Sequence, residues 1–174
     1  GLGAGARLIR VMPNTPALVR LGATAIAAGR TADTDDVAWA RRILEAVGSV
    51  DEVDEESLDA FTGVAGSGPA YVFLVAEALI EAAVAEGLEP QMAARTVRQL
   101  LLGSATLLDR EGDPTRLREM VTSPNGTTAA GHAVLDELDV RAERFIALGL
   151  AAVEPGLARL GIAAGDAAPR GVTR

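Results

Sequence analysis

The residues best placed to do chemistry lie in Val121-Thr122-Ser123-Pro124-Asn125-Gly126-Thr127-Thr128-Ala129-Ala130-Gly131, where hydroxyls cluster around a glycine. Upstream, Asp113 to Val121 reads as a short helix, with Asp113 at its N-cap and Pro114 in its first turn. Ser123-Pro124-Asn125-Gly126 then reads as a tight turn: proline sets one backbone angle, and Asn-Gly tolerates the left-handed angles that follow. Thr127 or Thr128 is the expected N-cap of a second helix reaching about Leu138. A helix start preceded by glycine, with hydroxyls at its mouth, offers unpaired N–H groups and a partial positive charge. Such a corner suits a small carboxylate or phosphate. The same spacing also describes an ordinary helix–turn–helix corner, and spacing by itself leaves both readings open.

Composition narrows the chemistry further. At 174 residues, 49% of them hydrophobic, the chain has enough apolar surface to bury a core in one or two domains. A net charge of −8 argues against nucleic acid and against anionic membrane surfaces as partners. There is no cysteine, which removes disulfides and thiolate metal sites and fits a cytoplasmic protein. The first residues, glycine-rich and followed by arginine, lack the apolar core of a secretion signal. The single histidine, His132, falls on the helix after the turn with no nucleophile pattern around it, and is expected to be solvated surface. No metal site is expected. An enzyme with this inventory would leave the hard chemistry to an organic cofactor.

Gly1-Leu2-Gly3-Ala4-Gly5-Ala6 has the spacing of a dinucleotide-binding glycine fingerprint but not its context, because no strand precedes it and no helix clearly follows. Arg7–Met12 reads as a strand ended by Pro13, and Ala23–Ala28 as a second between glycines. Asp35–Val47 is helical, with Val37, Ala40, Ile43, Leu44 and Val47 on one face and Gly48 at its end. Ser49–Val53 is a third strand, and a brief helix follows through Leu58 and Phe61. From Gly63 the pattern turns all-helical, with Ser67 as the expected cap and Pro69 in the first turn of a helix to Glu86. That helix is apolar nearly all round, yet Glu77 and Glu81 sit in its middle, which argues against a membrane span. A helix with no polar face must be covered on all sides, and a second copy of the chain is the simplest cover. Gln91–Arg110 is a further helix, and Val140–Leu160 a last one that Pro155-Gly156 kinks or splits.

Three stretches, in order, resemble pyrroline-5-carboxylate reductases: Arg10-Val11-Met12-Pro13-Asn14-Thr15-Pro16-Ala17-Leu18, Thr62-Gly63-Val64-Ala65-Gly66-Ser67-Gly68-Pro69-Ala70-Tyr71, and Val121 to Leu135. The resemblance runs from about Arg7 to Arg159. It implies an α/β remnant of a Rossmann-type dinucleotide domain (1–62) and an all-α helical dimerisation domain (63–165); residues 166–174, small and polar, read from composition as a disordered tail. It also implies that Gly1 starts inside the parent domain, the glycine fingerprint lying in an absent N-terminal half. The implied reaction is reduction of 1-pyrroline-5-carboxylate to L-proline with NADPH or NADH as hydride donor, in a homodimer. By the resemblance, Ser123, Gly126, Thr127 and Thr128 hold the substrate, and Thr128 serves the ring nitrogen as the catalytic group. Met12, Asn14, Thr15 and Pro16 lie against the nicotinamide end of the cofactor, and Ser67, Gly68 and Pro69 open the interface helix nearby. Asn125 stands where the family usually has glycine, and Asp113 where histidine often precedes the proline. The alternative is a truncated, non-catalytic dimerisation module of the same family. Hydroxyacid dehydrogenases, which share the two-domain plan, usually employ a catalytic lysine, and this chain has none.

Overall fold

The computed structural model describes residues 5–124 and 126–137. These fall into two compact units, one ending at Pro69 and one starting at Ala70.

The first unit is built on a strand that buries both faces. Gly22–Ala28 (β2) carries Ala25, Ile26 and Ala27, all buried, in a nearly continuous apolar run. Ile9–Met12 (β1) pairs antiparallel with it, Ile9 opposite Ala28 and Met12 opposite Ala25. Gly48–Glu52 (β3) pairs with it in parallel on the other side, Gly22 opposite Gly48. The crossover from β2 to β3 is the helix Thr34–Leu44 (α1). On one face of the sheet Ile26, Val37 and Val50 pack with Ile9 and Leu44; on the other Ala25 and Ala27 pack with Leu58, Met12, Val53 and Phe61. The small alanines of β2 let Leu58 approach the sheet closely. Alternation along a strand thus places α1 on one face and the helix Ser57–Phe61 (α2) on the other.

Local chemistry sets the helix ends. Asp33 caps α1 by accepting from Asp36 N–H at 3.0 Å, and the Asp36 carboxylate accepts from Asp33 N–H in return. The Asp36 N–H, aided by Arg7 at 2.9 Å, holds the Asp33 carboxyl below its ordinary pKa. The Ser57 hydroxyl and N–H lower Asp54 in the same way at the start of α2.

The second unit is helical. Gly68–Ala85 (α3) runs into it, followed by Pro90–Glu111 (α4), Pro114–Met120 (α5) and Thr127–Glu137 (α6). Glu89 caps α4 through Gln91 and Met92 N–H, and Asp113 caps α5 through Thr115 and Arg116 N–H, as its place before Pro114 leads one to expect. Among the described residues of this unit only Ala93 and Val97 are buried, while α3 buries none of its side chains.

Four sequence expectations need correction. Ser67 does not cap a helix: its backbone is itself helical, and helix runs from Ser57 to Ala85. The bridge is a π turn over Thr62–Gly66, in which Ser67 N–H donates to Thr62 C=O at 2.9 Å. Neither Thr127 nor Thr128 is the N-cap of α6. Gly126 C=O accepts the first intrahelical bond, from Ala130 N–H at 3.2 Å, so Gly126 is the cap and the threonines occupy the first turn. Ile43 is 50% exposed, because at 100° per residue it lies about 90° from the centre of the Val37–Ala40–Leu44 stripe. His132 is half-buried rather than solvated. The expected Val140–Leu160 helix and the 166–174 tail lie outside the described residues.

One buried group is unusual. The Thr24 hydroxyl on β2 has no hydrogen-bond partner among the described residues, although Thr24 is fully buried. An orphaned hydroxyl costs about 1–3 kcal/mol. Thr24→Val is therefore expected to raise the urea midpoint of the chain, by about 1 kcal/mol in unfolding free energy. A lowered midpoint would mean that the hydroxyl is satisfied after all.

Candidate functional site

In the first unit, the end of β1 is tied to the π turn. Chain reversal after Met12 uses Asn14-Thr15-Pro16-Ala17: Ala17 N–H donates to Asn14 C=O at 3.1 Å, and Pro16 opens a tight helical turn over Thr15–Val19. Asn14 does not cap that turn with its side chain. Its Oδ1 accepts from Ala23 N–H at 2.9 Å, and its Nδ2 donates to Ala65 C=O at 3.1 Å. Beside this bond Gly66 faces the Met12 methyl, and a Cβ on Gly66 would come within 2.6 Å of Met12 Cε. Gly66 is therefore the residue that lets the thioether lie against the turn. Met12 and Asn14 thus meet the segment immediately preceding Ser67, Gly68 and Pro69, all three half-buried. Thr15 is exposed, and its hydroxyl has no partner among the described residues.

In the second unit, Ser123 C=O accepts from Gly126 N–H at 3.0 Å, closing the turn that opens α6. A Cβ on Gly126 would collide with Ser123 Oγ, so the glycine leaves room for that hydroxyl beside the start of α6. The N–H groups of Thr127, Thr128 and Ala129 precede the first intrahelical donor, Ala130. Thr128 is half-buried and Thr127 exposed. The corner therefore sets Ser123, Gly126, Thr127 and Thr128 around backbone donors at the positive end of a helix, an arrangement that favours a small carboxylate. Asn125 lies outside the described residues. No group of three His, Asp or Glu side chains able to hold a metal occurs among the described residues.

Residues 55–157 match the sequence family described as pyrroline-5-carboxylate reductase dimerisation. The chain belongs to the pyrroline-5-carboxylate reductase family. It is 49% identical over 135 residues to the pyrroline-5-carboxylate reductase of Synechocystis sp., covering 77% of this chain and 51% of that protein. The Arabidopsis thaliana reductase is 44% identical over 137 residues, covering 78% and 50%. Among solved structures, a pyrroline-5-carboxylate reductase from Coxiella burnetii superposes with a TM-score of 0.83 at 38% identity, covering 91% of this chain and 59% of that one. The Plasmodium falciparum pyrroline carboxylate reductase, crystallised with NADP bound, superposes with a TM-score of 0.77 at 30% identity, covering 86% and 60%. The chain spans about half the length of the curated relatives it matches.

Sequence reasoning missed two participants, Ala65 and Gly66. A signal for Ala65 was present: it lies four residues before Pro69, which has no N–H to offer the Ala65 carbonyl in a continuing helix. Finding the donor that takes its place required the fold.

Proposed function

We propose that this chain serves the NADPH- or NADH-dependent reduction of 1-pyrroline-5-carboxylate to L-proline, the last step of proline biosynthesis, as a cytoplasmic homodimer. The observation that carries the reading is that the family match over 55–157 spans both Ser67–Pro69 and Ser123–Thr128. When bound, the nicotinamide cofactor supplies the hydride. Met12, Asn14, Thr15 and Pro16, with Ser67, Gly68 and Pro69, fit its nicotinamide end: they form a packed loop at the carboxyl end of a strand, where open α/β sheets bind such groups. The run Gly1-Leu2-Gly3 lies outside the described residues.

Ser123, Gly126 and Thr127, with the free N–H groups of α6, hold the substrate carboxylate in this reading. The imine carbon of the ring accepts hydride only when the nitrogen is protonated or strongly hydrogen-bonded. Thr128 Oγ is assigned that contact, donating to the ring nitrogen and relaying a proton as the C=N bond becomes C–N. A threonine hydroxyl is a weak acid, so orientation is its larger contribution.

The test is NADPH oxidation on addition of pyrroline-5-carboxylate, using the purified chain alone and co-expressed with the N-terminal half of the Synechocystis reductase. Turnover in either preparation supports the reading, and silence in both overturns it in favour of a non-catalytic dimerisation module. In the active preparation Thr128→Ala is expected to lower turnover about tenfold or more, the worth of a hydrogen bond to a charged group. Its urea midpoint should shift far less. Parallel losses in turnover and stability would reduce Thr128 to a packing residue.

A further inference from the structure

The Asn14–Ala65 hydrogen bond has a cause elsewhere in the sequence. In an α-helical register, which resumes with α3 after the π turn, the carbonyl of Ala65 would receive its bond from the residue four positions on. That residue is Pro69, which has no N–H. Half-buried within the π turn, an unpaired carbonyl there would carry a desolvation cost. The Asn14 amide, arriving from the end of β1, supplies the missing donor at 3.1 Å. Its Oδ1 is meanwhile fixed by Ala23 N–H at 2.9 Å, so the amide cannot rotate away without breaking a second bond. Met12 against Gly66 closes the same contact from the apolar side.

We infer that Asn14 and Pro69 form a coupled pair: the proline vacates the Ala65 carbonyl, and Asn14 occupies it, locking the loop after β1 to the start of α3. Asn14 is thus a positioning residue. Both ends of its amide are engaged within the chain, and its effect on any ligand passes through the loop it fixes. The pairing also explains why a proline is tolerated inside a continuous helix, since the bond it forfeits is replaced from another element. The link stands independently of the reaction; only its consequence for the nicotinamide-facing loop rests on the function proposed above.

The deciding experiment is a double-mutant cycle on the full chain, with Asn14→Ala, Pro69→Ala and the double variant followed by urea unfolding. Pro69→Ala restores an N–H to the Ala65 carbonyl, so Asn14→Ala should lower the folding constant at least about fivefold less in that background than in the unaltered chain. The lost acceptor for Ala23 N–H is common to both arms and cancels. Equal costs in the two backgrounds overturn the inference. Should Asn14→Ala alone fail to fold, recovery of folding in the double variant supports it. Amide-proton exchange on the unaltered chain decides the remaining case: a slowly exchanging Asn14 side-chain proton supports the link, and a fast one overturns it. NADPH titration of the same variants, in the chain co-expressed as above, separates the two claims. Weakened binding in Asn14→Ala, regained in the double variant, shows the lock acting on the loop. Absence of NADPH binding throughout counts against the proposed function, while the folding cycle still decides the link.

Discussion

Gly48→Ala is expected to cost about 3 kcal/mol or more and to leave the first unit unfolded under conditions where the unaltered chain is folded. Gly48 joins the turn after α1 to β3 with φ of 154°, a backbone region that side-chain-bearing residues rarely adopt. It stands directly opposite Gly22 in the parallel register, and a Cβ there would fall inside the Gly22 carbonyl. Neither a flexible side chain nor a neighbouring void can absorb that overlap, because the obstacle is the backbone of the central strand. Relief requires β2 and β3 to separate at their first paired position, and with them the Ile26–Val37–Val50 packing. Ser49→Ala, one residue along on an exposed position, should stay within about 0.5 kcal/mol. Urea unfolding of both variants checks this; a Gly48→Ala midpoint near that of the unaltered chain would mean that the strand pair is not held in this register.

The second large effect is expected on assembly. Phe73 on α3 and Leu102 on α4 are each 61% exposed, amid further exposed apolar residues that include Leu74, Leu79, Leu100 and Leu107. Such a surface on a helical unit with two buried residues among those described lacks a cover among the described residues. The family match over these helices carries the description dimerisation. The stretch Ser57–Ala85, with a mean hydropathy of 1.6 in its most apolar window, also has the length and composition of a membrane span. Two observations oppose that use: Glu77 and Glu81 lie mid-helix, and Leu58 at its beginning is buried in the core of the α/β unit. Sedimentation is therefore expected to give a dimer or a multiple of it. Phe73→Glu combined with Leu102→Glu should produce monomer or aggregate at concentrations where the unaltered chain is fully assembled, a loss of about a thousandfold or more in affinity. An unaltered chain that sediments as monomer would remove the interface from this face.

Much of this architecture is legible in the sequence, for identifiable reasons. The cap at Asp113 depends on neighbours within three residues, so local chemistry suffices. The apolar run of β2 announces a strand covered on both faces. What escaped was non-local. The helix through Thr62–Gly66 looked broken because Gly-Ser-Gly-Pro reads as a boundary, and the bond that sustains it comes from Asn14, about 50 residues away. The placement of Thr127 and Thr128 was missed by one or two positions because Gly126, with its carbonyl already in the ladder, takes the cap. The site itself shows the same division. Its turn and helix mouth follow from residue types, whereas the roles assigned to Thr128 and Asn14 came from family resemblance and needed the folded chain to be given neighbours.

The π turn has a further consequence for how this sequence can change. A single π turn is one residue longer than the α-helical turn it replaces. Deleting one residue from Thr62–Gly66 would let the segment relax to ordinary helix with the later side chains of α3 near their present orientation, because the wide turn is what absorbs the extra residue. The nearly uniform apolar surface of α3 would notice little. Pro69 would notice a deletion at Ala65 or Gly66, since the carbonyl four residues before it would then be that of Val64. The spacing from Ala65 to Pro69 is therefore fixed more tightly than composition, and substitutions at Val64, exposed within the turn, should be accepted where insertions and deletions between Ala65 and Pro69 are not.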